Sequence, residues 1–171
     1  TQGNDKLAKA CKQAIANRTS ENEASHALVH RSLIAARLKD SESLSDALVK
    51  LMNHKIRYDS LMTNHDYDRG SCYCTDFAIG YLGIINEALV YSHDNDIELL
   101  PALPTSGFEN GTLKGIKTRN RATVTELKWA DGGKKISAVI TSDIDQTLNV
   151  SAKGKTQNVT FKAGESKTII F

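Results

Sequence analysis

Both prolines of this 171-residue chain, Pro101 and Pro104, fall in one short segment, DNDIELLPALP at positions 94–104. Proline interrupts helix and central strand alike, so this segment divides the sequence. Before it, apolar residues recur at helical spacing; after it, they alternate at strand spacing between Gly and Asn turns. The expected fold class is α+β, with a helical half over 1–96 and an antiparallel β half over 97–171.

In the helical half, Lys6 to Ala16 carries a stripe of Leu7, Ala8, Ala10, Cys11 and Ile15. Ser20 and Glu23 have the spacing of a capping box, and the helix that follows continues through Leu28, Leu33, Ile34 and Leu38 to Lys39. A third helix is expected from Ser43 to His54, with Leu44, Ala47, Leu48, Leu51 and Met52 on one face. The fourth, Asp76 to Ser92, differs in kind: Phe77, Ile79, Tyr81, Leu82, Ile84, Ile85, Ala88, Leu89 and Val90 surround most of its circumference. Such a helix is expected to be buried on nearly all sides, which three neighbours of this content cannot achieve. With Thr rather than Met in first place, the pattern suggests a piece of something longer. In the β half, strands are expected at 112–119, 122–130, 134–142, 146–152, 157–163 and 166–171, with ADGG as a hairpin turn and AKGK and KAGES as further Gly turns. This pattern describes a small antiparallel sandwich or barrel.

Charge and cysteine usage narrow the functional classes. The 22 basic and 20 acidic residues are interspersed and leave a net charge of +2, which makes no nucleic-acid footprint. The basic runs KGIKTRNR and GGKK read as solvated strand faces. The longest apolar run, 77–91, is broken by Asn86 and Glu87 and is shorter than the roughly 20 residues a bilayer needs. No signal-peptide pattern is visible in these residues. Cys11, Cys72 and Cys74 cannot all pair with one another, and Cys72 and Cys74 have the wrong spacing for a bridge, a zinc knuckle or a redox pair, so reduced thiols are expected. The loop before the fourth helix, YDSLMTNHDYDRGSCYCTD, gathers His65, Asp66, Asp68, Cys72, Cys74 and Asp76. Its DYDRG places Gly one position early for a calcium loop and lacks the closing Glu, and no common zinc template fits, so no metal is expected. His26 and His30 stand at i, i+4 on one helix face without an intervening acid, a pattern read as surface or packing histidines. Sequons at Asn17, Asn110, Asn149 and Asn158 have meaning only in a eukaryotic secretory setting.

LLPALP (99–104), LKGI (113–116), WADGG (129–133) and the terminal FKAGESKTIIF together resemble the junction and C-terminal β-domain of glycoside hydrolase family 95, the inverting α-L-fucosidases. In the helical half, AARLKDSE (35–42) is similar to the family's WARLGDGD, and GIINEALVYSHDNDIELLPALP (83–104) to its helix running into the junction. The resemblance is specific over 87–133 and loose elsewhere. It implies the last helices of an (α/α)6 barrel followed by a β-sandwich, with the fourth helix as an inner barrel helix and the rest of the barrel supplied by an upstream part of the same protein.

The resemblance also implies a chemistry. Inverting glycosidases use one carboxylic acid to protonate the leaving oxygen and a second carboxylate to activate water, the two separated by roughly 6.5–9.5 Å. A gap-free slide from the junction puts Asp76 of TDFAIGY on the general-base Asp of the family's IDGNFGG-like motif, with Gly80 on a family Gly. Phe77-Ala78 stands where the family has Gly-Asn, and Cys74 where it has Gln. The upstream acid and the water-orienting asparagines have no counterparts here, so the chain alone is expected to be incomplete as an enzyme. Read from the residues alone, Thr75 or Asp76 is well placed to cap the fourth helix. The same alignment gives His26, His30 and Arg31 positions near the barrel mouth. Tyr73, Phe77 and Tyr81 have rings able to stack on sugar, as has Trp129, for which a core or hairpin-packing role is expected instead. The implied partner is a fucosylated or related glycan, with no cofactor, no nucleic acid and no membrane, and a secreted or surface location in bacteria.

Overall fold

The computed structural model describes residues 4–17, 24–52, 63–65 and 72–171. Two compact units are formed, Thr1–Ile85 and Asn86–Phe171.

The first unit contains α1 (Asp5–Ala16), α2 (Ser25–Arg37), α3 (Ser41–Leu51) and most of α4 (Thr75–Leu89). α1 opens on Asn4, whose Oδ1 accepts from the Leu7 amide at 2.9 Å, but it buries no side chain. α2 and α3 form the tighter pair. Leu28, Val29, Ala35 and Ala36 are buried on the first, and Leu44, Ala47, Leu48 and Leu51 on the second. Their connection is a Schellman turn: Lys39 takes φ 56°, its amide donates to Ala36 O at 3.1 Å, and the Asp40 amide donates to Ala35 O at 2.9 Å. Asp40 then caps α3, its Oδ1 accepting from the Ser43 amide at 3.1 Å. α4 approaches α2 closely at Gly80, where a Cβ would lie 2.6 Å from Val29 Cγ1.

Several expected boundaries move. The Ser20/Glu23 capping box lies outside the described residues, and α2 begins at Ser25 behind Ala24, which makes no side-chain cap bond. The Ser25 amide instead donates to the His65 carbonyl at 2.6 Å. α4 stops at Leu89 rather than Ser92, because Val90–His93 is drawn into a sheet. Its predicted all-round burial is also not seen in this chain, since Ile79 and Leu82 are 76% and 68% exposed.

The second unit has eight strands: β1 (Val90–His93), β2 (Asp96–Leu99), β3 (Gly111–Lys117), β4 (Ala122–Ala130), β5 (Lys135–Ser142), β6 (Gln146–Ala152), β7 (Lys155–Phe161) and β8 (Ser166–Ile170). Two four-stranded sheets result, ordered β1-β2-β6-β7 and β3-β4-β5-β8. The wholly antiparallel expectation is corrected at one place, where β2 runs parallel to β6, Ile97 facing Val150. β1 and β2, both N-terminal to the prolines, were not expected as strands. Their few residues continue the apolar run of α4, yet the Asp94-Asn95 turn folds them into a hairpin, with His93 opposite Asp96. The ADGG and KG turns form as expected, Asp131, Gly132, Gly133, Lys153 and Gly154 all taking positive φ.

Alternate residues of both sheets are buried and form the two layers of a sandwich core: Ile97, Leu148, Val150 and Phe161 from one, Val124, Leu127, Ile140 and Ile169 from the other. Along one side the sheets are tied by side chains reaching across, Gln157 Nε2 donating to Ile170 O at 2.8 Å and Lys167 Nζ to Thr160 O at 2.6 Å. The proline segment is a buried strap in which Leu99, Leu100, Ala102 and Leu103 are withdrawn from water. The Leu100 amide donates to Leu89 O at 2.8 Å and the Ala102 amide to Ala88 O at 3.1 Å. Trp129 is buried in the core, as expected, and donates from Nε1 to Phe108 O at 2.8 Å.

Two predictions follow from this packing. A Cβ on Gly111 would lie 2.1 Å from the Trp129 ring, so Gly111→Ala should destabilise the β unit by about 1–3 kcal/mol, read as an earlier denaturant midpoint of Trp129 fluorescence. Asp145 accepts from the Ala163 amide at 2.7 Å and from Lys162 Nζ at 3.0 Å, and these donors hold its carboxyl below the ordinary value of 3.8. Its contribution is therefore complete above the unfolded-state pKa and lost as pH falls through the lower folded value. Asp145→Asn should flatten the acid limb of the stability profile below about pH 4 while changing its shape little near neutrality, measured by thermal melts across pH.

Candidate functional site

The entrance to α4 is built by a short antiparallel ladder. Asn64 faces Tyr73 across it, the Cys74 amide donates to Thr63 O at 3.0 Å, and the His65 amide donates to Cys72 O at 2.8 Å. Side chains reinforce the backbone: Thr63 Oγ1 donates to Cys74 O at 2.5 Å, and Asn64 Oδ1 accepts from the Cys72 amide at 3.2 Å. Thr63, Asn64 and Cys74 are buried, so the start of α4 is fixed in place. Asp76 follows as the second residue of the helix, in its first turn, with an exposed side chain. It sits inside the helix rather than at the cap, where the unpaired amides and the positive end of the dipole favour a carboxylate. Among the described residues no hydrogen bond or ion pair engages that carboxylate, which leaves both oxygens open to solvent or ligand.

Of the other anticipated residues, His26 and His30 are brought together, their rings edge-to-face at 6.5 Å between centroids. His65 joins them, its ring 4.9 Å from that of His26. Because the His65 backbone also receives the Ser25 amide, the ladder and the start of α2 are locked to each other. Tyr73 projects from the same ladder with 55% of its surface exposed. Arg31 goes elsewhere. It lines a cavity of about 280 Å³ between α1, α2 and α3, walled by Ile15, Leu28, Ile34 and Leu38. Asp66 and Asp68 of the DYDRG stretch lie outside the described residues. Among the described residues no three His, Cys, Asp or Glu side chains are arranged to hold a metal ion. Thr63 and Asn64, which fix the entrance to α4, were not singled out in the sequence; their polarity was visible, but not their burial.

The comparison with known proteins bears on the second unit. Residues 91–170 match the profile described as "Glycoside hydrolase family 95, C-terminal domain". The second unit is thus similar to the C-terminal domain of that family. A curated relative, Alpha-L-fucosidase 2 of Arabidopsis thaliana, is 39% identical to this chain over 57 residues, which is 33% of the chain and 7% of that relative. The match thus spans a small fraction of the relative's length. The matched stretch begins inside β1 and takes in every strand that follows, so its limits coincide closely with the second unit.

Upstream of the matched stretch, two neighbours on α4 differ in their packing. Phe77 is only 2% exposed and meets Tyr81 edge-to-face at 6.0 Å. Ala78 is exposed. Phe77→Gly should therefore cost roughly 3–5 kcal/mol through the cavity it leaves, while Ala78→Asn should stay within about 1 kcal/mol. Thermal unfolding of the two variants beside the wild type checks the contrast.

Proposed function

We propose that this chain is the C-terminal portion of a family 95-type glycoside hydrolase that removes terminal α-L-fucose, or a related L-sugar such as α-L-galactose, by inversion. The observation that carries the proposal is the match of residues 91–170 to the family's C-terminal domain, directly downstream of a helix with a carboxylate in its first turn. In this reading α2, α3 and α4 are late helices of an (α/α)6 barrel whose upstream part supplies the general acid. Asp76 acts as general base, accepting a proton from water as that water attacks the anomeric carbon from the face opposite the leaving group. Its exposed side chain, which no hydrogen bond or ion pair engages among the described residues, supports the assignment. Tyr73 offers a ring for the apolar face of the sugar, and His26 and His30 offer donors and acceptors to its hydroxyls.

A second reading, a non-catalytic homologue, is favoured by one observation. The Phe77-Ala78 pair provides no side-chain amide to orient the water where the family has Asn, and Phe77 is committed to the core. In that case the β unit would have a structural role only. Glycan binding by the β unit has less support, because among the described residues its exposed large apolar side chains come to Ile170 alone, with no exposed Phe, Tyr or Trp.

The test is hydrolysis of 2′-fucosyllactose by the intact protein. Release of β-L-fucose by the wild type, falling roughly 10²–10⁴-fold in Asp76→Asn, is the expected result. Turnover indifferent to the substitution would leave Asp76 as a helix-end carboxylate only. Absence of turnover on both fucosyl and L-galactosyl substrates would favour the non-catalytic homologue.

A further inference from the structure

The cavity between α1, α2 and α3 has its own chemistry. Its walls are aliphatic, from Ile15, Leu28, Ile34 and Leu38, and its volume of about 280 Å³ is several times that of a water molecule. Four charged side chains reach its lining: Lys12, Arg31, Asp40 and Asp46. Three of them have partners. Lys12 Nζ lies 3.7 Å from Asp40 Oδ2, Asp40 Oδ1 caps α3, and Asp46 Oδ2 is 3.3 Å from Lys50 Nζ. Arg31 makes no hydrogen bond or ion pair among the described residues, although it is only partly exposed. The lining therefore presents one unneutralised guanidinium beside an apolar recess.

A guanidinium offers a planar fork of donors that matches a carboxylate bidentately, and partial withdrawal from water strengthens such a pair. Few polar groups around an apolar body is the usual composition of a small-molecule site, here near the lower end of the usual size range. We propose that this cavity binds a small amphipathic carboxylate, its carboxylate on Arg31 and its hydrocarbon or aryl body between Leu28, Ile34 and Leu38. The proposal is independent of the glycosidase reading, because none of its residues belongs to the ladder or to the start of α4.

The test is titration calorimetry of the intact protein with 3-phenylpropionate, and with the uncharged 3-phenylpropionamide as control. Binding of the acid with Kd on the order of 1 mM or tighter is expected, with the amide and Arg31→Gln each at least about tenfold weaker. Ala47→Phe, which fills the recess, should abolish binding; Arg31→Gln and the amide control decide the matter if that variant fails to fold. Equal binding of acid and amide, retention of affinity in Arg31→Gln, or no heat of binding up to about 10 mM would overturn the proposal.

Discussion

The β unit depends on how the end of α4 is closed. A helix terminates with carbonyls that have lost their intrahelical donors, and burying them unpaired is expensive. Here the amides of Leu100 and Ala102 meet the carbonyls of Leu89 and Ala88. Pro101, between them, has no amide to leave unsatisfied. The strap thus satisfies the helix end while burying Leu99, Leu100, Ala102 and Leu103, and it sets where β1 and β2 must lie. Arg119 strengthens the same corner: its backbone amide donates to Ser92 Oγ at 2.9 Å, one guanidinium nitrogen donates to Ser92 O at 3.2 Å, and another is ion-paired with Glu87.

The helical unit uses backbone geometry at its own critical corner. Lys39 occupies the left-handed position of the α2–α3 turn, where the similar family segment has Gly, and the motif forms because Asp40 caps the next helix at once. A side chain at φ 56° carries some strain, offset by two backbone hydrogen bonds and one cap. The same Asp40 also pairs with Lys12 of α1, a helix with no buried residue of its own.

Much of the architecture was legible because it rests on local rules. The alternation of Ile136, Ala138 and Ile140, the ADGG turn and the KG turn each specify a hairpin within a few residues, and β3 to β8 lie close to where those signals place them. β1 and β2 were illegible for the opposite reason. Val90 and Tyr91 extend a helical apolar run, and they become a strand by pairing with β2, whose other edge is held by the distant β6. The candidate site was legible in part. Asp76 is a candidate through motif resemblance and Tyr73 through its aromatic ring, while the clustering of His26 with His30 follows from i, i+4 spacing. The approach of His65 depends on chain reversal through a loop, which no periodicity encodes, and the divergence of Arg31 from His30 follows from their being adjacent on a helix, about 100° apart.

The parallel partnership of β2 and β6 has a consequence for the order of assembly. The β1-β2 hairpin can close early, but its remaining edge waits for residues 149–152, beyond all of β3, β4 and β5. On a ribosome that edge is left unpaired until β6 has been made, and contacts of such sequence separation form slowly. Chains stopped anywhere between β3 and β6 would carry an intact hairpin with nothing to lay against it. A nascent chain interrupted in the middle therefore presents an open strand to whatever lies nearby.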